Sequence, residues 1–165
     1  MSAPLELELS LIEAAHLTDL VEQFLEVLDG GTDDDPTDDP AVARLVPDAY
    51  RDDDAAASEF RRLTQSDLLD RRRDDAQRVA WTLLRDGERL SPDSLEPGAF
   101  DDRLRVTLDS ESAHAWLRTL SALRLVLASR LGISTDDDHA DDDPRFGVYD
   151  WLGYRLDGLV IALDG

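Results

Sequence analysis

Residues 102–132 constrain the fold most, because a short alternating strand runs directly into one long amphipathic helix. Residues 103–108 alternate between polar and aliphatic side chains, which is typical of a half-buried strand. Asp109 and Ser110 follow, and their side-chain oxygens can accept hydrogen bonds from the first turn of a helix. The predicted helix ends before Gly132, a residue that adopts a left-handed conformation without steric cost. Its apolar face consists of Ala113, Trp116, Leu117, Leu120, Leu123, Leu127 and Leu131.

The N-terminus repeats this order of strand, cap, helix and glycine. Residues 5–9 alternate leucine with glutamate, and Ser10 with Glu13 matches a capping box, in which each side chain satisfies the other's backbone N–H. A helix follows as far as Leu28, before Gly30 and Gly31. Because two lone strands cannot survive unpaired, we expect them to pair with each other as an antiparallel ribbon.

Three further helices are predicted. One spans Ala55–Leu63, and a second starts at a capping pattern at Thr64 and Asp67 and runs to about Asp86, before Gly87. The last helix is predicted to begin at Pro144, a residue favoured at the first helical position, with Asp143 as its cap. Its apolar face carries Val148, Tyr149, Leu152, Leu156, Leu159, Val160 and Leu163. The predicted fold is a mostly α, single-domain helical bundle over residues 1–165, with a small two-stranded antiparallel β ribbon. Trp81, Trp116 and Trp151 are predicted to anchor its core.

The net charge of −21 restricts the partners of this chain. All 17 basic residues are arginine, and residues 32–40 and 135–143 are predicted to be acidic flexible loops. So negative a field opposes direct nucleic-acid binding and binding to anionic membranes. Cysteine is absent, so no thiol switch is available, and no apolar run reaches the length of a bilayer span. We therefore expect a cytoplasmic protein.

The sequence offers little support for catalysis. The aspartate runs lack the spacing and central glycine of a calcium-binding loop, and no nucleophile elbow or phosphate-binding loop is present. His16 and His114 fall early in two helices, and we interpret them as surface residues, with His139 in an exposed loop. We predict no catalytic residue, metal site or cofactor. The alternative is a metal-dependent hydrolase, which would require aspartates and histidines to converge in one pocket.

An arginine cluster at residues 61–78 is the most informative polar feature. This segment contains six arginines and four aspartates, so its net charge is +2, whereas the net charge of the whole chain is −21. Three interpretations remain open: pairing with the aspartate-rich loops, a face that docks a protein partner, or a DNA-reading helix, which the overall charge disfavours. Arg73 and Arg78 are expected to point toward solvent. The predicted partner-binding residues are Arg61, Arg62, Arg71, Arg72, Trp151 and Tyr154.

Several short motifs, in order along nearly the whole chain, resemble one family. They are Pro47-Asp48-Ala49-Tyr50, Glu59-Phe60-Arg61-Arg62-Leu63, Trp116-Leu117 with Leu123-Arg124-Leu125, Arg130-Leu131-Gly132 and Tyr149-Asp150-Trp151-Leu152. The family is the actinobacterial domain of unknown function 2017, some members of which are named oxidative-stress regulators of the AosR type.

The resemblance implies a non-enzymatic regulatory protein-interaction module in transcription or stress response. It further implies a protein partner such as a sigma factor or RNA polymerase. Two departures limit what carries over. The regulators are associated with a cysteine pair that this chain lacks, and Ser121-Ala122 replace an Asn-Asp pair that is common in the family.

Overall fold

The computed structural model describes residues 4–29, 45, 55–131 and 147–164, with side chains described for these except residues 55–66, 131 and 164. The described elements are β1 (Leu5–Ser10), α1 (Leu11–Asp29), α2 (Ala55–Thr82), β2 (Arg103–Leu108), α3 (Ser110–Leu131) and α4 (Gly147–Asp164). Two short 3₁₀ turns, Pro92–Ser94 and Pro97–Ala99, lie between α2 and β2. The prediction of a mostly α fold with a two-stranded antiparallel ribbon is confirmed. The predicted acidic loops at 32–40 and 135–143, and the glycines expected to end α1 and α3, lie outside the described residues.

The ribbon joins the N-terminal strand to a strand about a hundred positions later. Leu5 lies opposite Leu108, and Ser10 lies opposite Arg103. Since side chains alternate across a strand, this register places the aliphatic residues of both strands on the core side. The predicted cap of α3 is also present, because Oδ1 of Asp109 accepts a hydrogen bond from the backbone N–H of Ser112 at 2.8 Å.

Residues 55–82 form one continuous helix, so the prediction of two helices divided near Thr64 is wrong. This stretch contains no glycine or proline, and a threonine or serine inside it does not interrupt the backbone hydrogen bonds. The helix ends at Thr82, before the expected Asp86. Asp86 and Gly87 then take positive φ angles of 52° and 80°, in a tight turn closed by backbone hydrogen bonds between Arg85 and Glu88.

The core lies where α1, α2 and α3 pack beneath the ribbon. Trp116 is 2% exposed, and its indole N–H donates to Oγ1 of Thr82 at 2.8 Å, which confirms its predicted place in the core. The same expectation for Trp81 is wrong, because its side chain is 65% exposed. It follows the buried Val79 by two positions, about 200° around the helix, and therefore faces away from the core.

The last helix packs on α3 through an arginine and a tyrosine. The guanidinium of Arg124 lies 4.1 Å from the ring centre of Tyr149, a cation–π contact. Gly153 makes room for this arginine, since a Cβ atom there would lie 3.2 Å from Nε of Arg124. Among the described helices, none is long and apolar enough to cross a membrane.

Candidate functional site

The described arginines divide into those that pair with carboxylates and those that do not. Arginines with a carboxylate partner are Arg73, Arg78, Arg89, Arg103, Arg118 and Arg155. Arg71 and Arg72, which are adjacent in α2, form no ion pair within the part of the chain that the structure describes. In a protein with an excess of 21 negative charges, two neighbouring arginines without a carboxylate are a feature to explain.

These two arginines line a groove of about 520 Å³ between α2 and α3, together with Leu68, Asp74, Asp75 and Arg118. Arg71 is exposed and Arg72 is half-buried. The Nη1 atom of Arg72 reaches the backbone carbonyl of Arg118 only at 3.5 Å, and its Nε is buried without a hydrogen-bond partner among the described atoms. The groove therefore holds guanidinium groups that keep most of their hydrogen-bonding capacity for an external acceptor.

One wall of the groove is held by a bidentate ion pair between α3 and α2. Nε and Nη2 of Arg118 donate to the two carboxylate oxygens of Asp75 at 2.7 and 3.0 Å. The hydrogen bond with Asp75 raises the pKa of Arg118 above its usual value, against a smaller effect of burial. Because Arg118 is neutralised in this way, it contributes structure to the groove. Arg71 and Arg72 contribute the positive charge that no carboxylate in the described part of the chain neutralises.

Arg73 was expected to point toward solvent, but its guanidinium group instead binds the end of α1. Its Nε lies 2.9 Å from Oδ1 of Asp29, and its Nη2 donates to the carbonyl of Leu28 at 3.4 Å. Since α1 ends at Asp29, this arginine binds the C-terminus of α1, where cations are favoured by the helix dipole. Arg78 is partly exposed and contacts Glu111 at 3.6 Å. The backbone of Arg61 and Arg62 lies in α2, but their side chains lie outside the described set, so their predicted role stays a prediction.

The predicted partner-binding residues of the last helix lie near Glu13 of α1. Trp151 is half-buried, and its indole N–H donates to Oε2 of Glu13 at 2.7 Å. Nη2 of Arg155 donates to the same oxygen at 2.6 Å. Tyr154 is 71% exposed, and the guanidinium of Arg155 lies 5.7 Å from its ring centre. Trp151 thus joins two helices, whereas Tyr154 leaves its ring to solvent. Partner binding by either residue stays a prediction.

Glu13 serves two helices at once. Its other oxygen, Oε1, accepts hydrogen bonds from the backbone N–H and the hydroxyl of Ser10 at 3.2 and 3.1 Å, which is the predicted capping box. Burial alone would raise the pKa of Glu13. The hydrogen bonds from Arg155, Trp151 and Ser10 outweigh it and hold that pKa at about 2.

The histidines and carboxylates do not assemble a metal centre in the described residues. His16 and His114 are both exposed, as expected, and Nδ1 of His114 donates to the carbonyl of Ser110 at 2.7 Å. A second groove, of about 400 Å³, is lined by His16 with Glu13 and Asp19. However, both carboxylates are already bonded to arginine, Glu13 to Arg155 and Asp19 to Arg89. No group of three or more potential metal ligands occurs among the residues that the structure describes.

Sequence reasoning missed two parts of this surface. Arg118 was not predicted to contribute, because its ion pair joins positions 43 residues apart. Trp81 was assigned to the core, although its spacing from the buried Val79 could have placed it on the opposite side of α2.

The fold places this chain among mostly helical proteins that carry one small antiparallel ribbon. The sequence profile described as "Domain of unknown function (DUF2017)" matches residues 2–163, so the chain belongs to that family, as the motifs indicated. No solved structure matches the chain.

Mycobacterial proteins are among its relatives. The "Oxidative stress regulator AosR" of Mycobacterium tuberculosis H37Rv is 27% identical over 188 aligned positions, which cover 93% of this chain and 79% of the relative. The "Putative oxidative stress regulator AosR" of Mycobacterium leprae is 31% identical over 146 positions, covering 76% of this chain and 59% of the relative.

Proposed function

We propose that this chain is a non-enzymatic cytoplasmic regulator in the stress response that acts by binding a protein partner through the groove between α2 and α3. The observation that carries the proposal is the pair Arg71 and Arg72, which have no carboxylate partner among the described residues, whereas six other described arginines do. Guanidinium groups bind carboxylates through two parallel hydrogen bonds, so the groove is suited to an acidic protein surface. The names of the relatives support the regulatory part of the proposal.

The partner class we propose is an acidic surface of a sigma factor or of RNA polymerase. Direct contact with nucleic acid is disfavoured because its backbone is negatively charged along its whole length and would meet the field of a chain with a charge of −21, whereas a protein partner need present only a local acidic patch to the groove. The absence of cysteine requires a signal other than a thiol switch in this member of the family.

Charge reversal separates docking from a structural role. We expect Arg71→Glu, at an exposed position, to keep the melting temperature of the wild type while reducing binding to purified sigma factors and RNA polymerase from the native host. Arg72→Glu should also reduce binding, with some loss of melting temperature, because Arg72 is half-buried and donates to the carbonyl of Arg118. Such charges act mainly on encounter rate and specificity, so the association rate should fall and its salt dependence should weaken. Surface plasmon resonance over a range of ionic strengths measures both.

Arg105→Glu is the matched control. Arg105 is exposed on β2 and also forms no ion pair within the described residues, so its reversal changes the net charge by the same amount at a distant place. If Arg105→Glu reduces binding as much as Arg71→Glu, the effect belongs to total charge, and the groove has no special role. If the Arg71 and Arg72 variants melt early and bind normally, these arginines are structural.

A further inference from the structure

The solvent-facing side of α2 carries a row of residues that the sequence did not single out together. Arg71, Asp74, Arg78 and Trp81 follow at intervals of three and four, so they fall within a sector about 80° wide over about 15 Å of helix. The core side of the same helix carries Leu69, Ala76 and Val79, and the buried Leu83 follows directly after the helix. We call the row from Arg71 to Trp81 the outer face of α2.

Trp81 is the apolar part of this face. It is 65% exposed, and Leu84, in the turn after the helix, is also exposed. Tryptophan is the residue type most enriched among side chains that dominate binding energies, because its large ring buries much apolar area at little conformational cost. The ring of Trp116, by contrast, is buried in the core, and its indole N–H is hydrogen-bonded to Thr82. The outer face therefore offers one unburied aromatic anchor.

The charge of the outer face is positive against the rest of the chain. Arg71 has no carboxylate partner among the described residues. Arg78 contacts Glu111 at 3.6 Å, and because Glu111 is 81% exposed, that pair is weak. Hydrogen bonds with Ser112 lower the pKa of Asp109, and the charge of Arg78 also helps to lower it, although Arg78 and Asp109 form no ion pair in the described residues. Arg85 follows in the turn after the helix and is likewise without an ion pair in the described part of the chain. Asp74 is the one acid between Arg71 and Trp81 on this face.

We propose that the outer face of α2 binds an acidic segment of a partner protein that carries one large aliphatic side chain. Its carboxylates pair with Arg71 and Arg78, and its aliphatic side chain packs on the ring of Trp81. This inference rests on the proposed function and extends the groove along α2. Local charge complementarity selects this occupant, because Arg71 has no carboxylate partner among the described residues and the long, exposed pair of Arg78 with Glu111 leaves that arginine able to take a closer carboxylate.

Two synthetic helical peptides test the occupant directly. Both carry glutamates at heptad spacing to match Arg71 and Arg78. One has leucine, and the other alanine, at the position that meets Trp81. Isothermal titration with the full chain at low salt should show the leucine peptide binding about tenfold or more tightly than the alanine peptide, because burial of a leucine side chain supplies that difference.

Variants then assign the contacts. Trp81→Ala should remove the preference for leucine, and Trp81→Phe should restore most of it, since a phenyl ring keeps an apolar face. Arg78→Glu should weaken both peptides equally, and raised salt should do the same. Because Trp81 lies outside the core, its variants should keep the circular dichroism spectrum and melting temperature of the wild type.

Other outcomes would overturn this inference and leave the groove proposal to stand or fall separately. Equal binding of the two peptides, or an unchanged leucine preference in Trp81→Ala, shows that Trp81 is no anchor, even where Arg71→Glu still abolishes binding to the natural partner. Binding of neither peptide at millimolar concentration also overturns it. Tighter binding of a single-stranded oligonucleotide than of the leucine peptide would assign the face to nucleic acid instead.

Discussion

The indole N–H of Trp151 donates to the carboxylate of Glu13 at 2.7 Å, although the two residues are 138 positions apart in the chain. Glu13 also caps α1 through Ser10, and Arg155 donates to the same carboxylate oxygen as Trp151. One side chain therefore closes the N-terminus of the first helix and ties the last helix to it. A carboxylate with this many donors is held firmly and stays ionised over the physiological range.

Glu13→Gln should lower the free energy of unfolding by about 1–3 kcal/mol, because it removes the charge that Arg155 faces and weakens the hydrogen bonds to Trp151 and Ser10. Urea denaturation followed by far-ultraviolet circular dichroism measures the loss. Glu26→Gln is the control, since Glu26 is exposed on the same helix. Similar losses in both variants would mean that the Glu13 contacts contribute nothing specific.

Titration of Glu13 should contribute to the pH dependence of the free energy of unfolding. Its pKa is about 2 in the folded protein against an ordinary 4.5, so the folded state favours the ionised carboxylate. The stabilisation is fully present above pH 4.5 and is lost as the pH falls through about 2. The difference in unfolding free energy between the wild type and Glu13→Gln should therefore shrink from pH 5 toward pH 2. A difference that stays constant over that range would contradict the contact.

Thr82→Val should cost about 1–2 kcal/mol of stability, because it leaves the indole N–H of Trp116 buried without its acceptor. Thr82→Ser keeps the hydroxyl and should retain most of the stability. Thermal denaturation of the two variants makes the comparison, and near-ultraviolet circular dichroism reports the Trp116 environment. Equal melting temperatures for the two variants would show that the hydrogen bond is dispensable.

The two glycines inside α4 should respond differently to alanine. At Gly158 a Cβ atom meets nothing within 4 Å, so Gly158→Ala should stabilise the protein by about 1 kcal/mol through helix propensity alone. At Gly153 the Cβ atom would lie 3.2–3.3 Å from the guanidinium of Arg124, which packs on Tyr149. Gly153→Ala should therefore gain less, or lose stability, as Arg124 is displaced. Calorimetry of both variants decides between packing and propensity.

Local patterns were enough to predict much of the fold. The alternation in β1 and β2, the capping box of Ser10 and Glu13, and the Asp109 cap all depend on residues within a few positions of each other. The sequence could therefore specify them without knowledge of the rest of the molecule. The same approach failed near Thr64, because a capping pattern inside a long helical stretch is satisfied equally well by continuing the helix.

By itself the sequence determined the ribbon, the helices that follow each strand and the excess of negative charge. The tertiary structure alone decided which arginines are neutralised and which face outward. Arg73 binds the end of α1 and Arg118 pairs with Asp75, whereas Arg71 has no carboxylate partner among the described residues. The physical reason is that an ion pair depends on distances between helices, and those distances follow from the packing of the core, which no local pattern encodes.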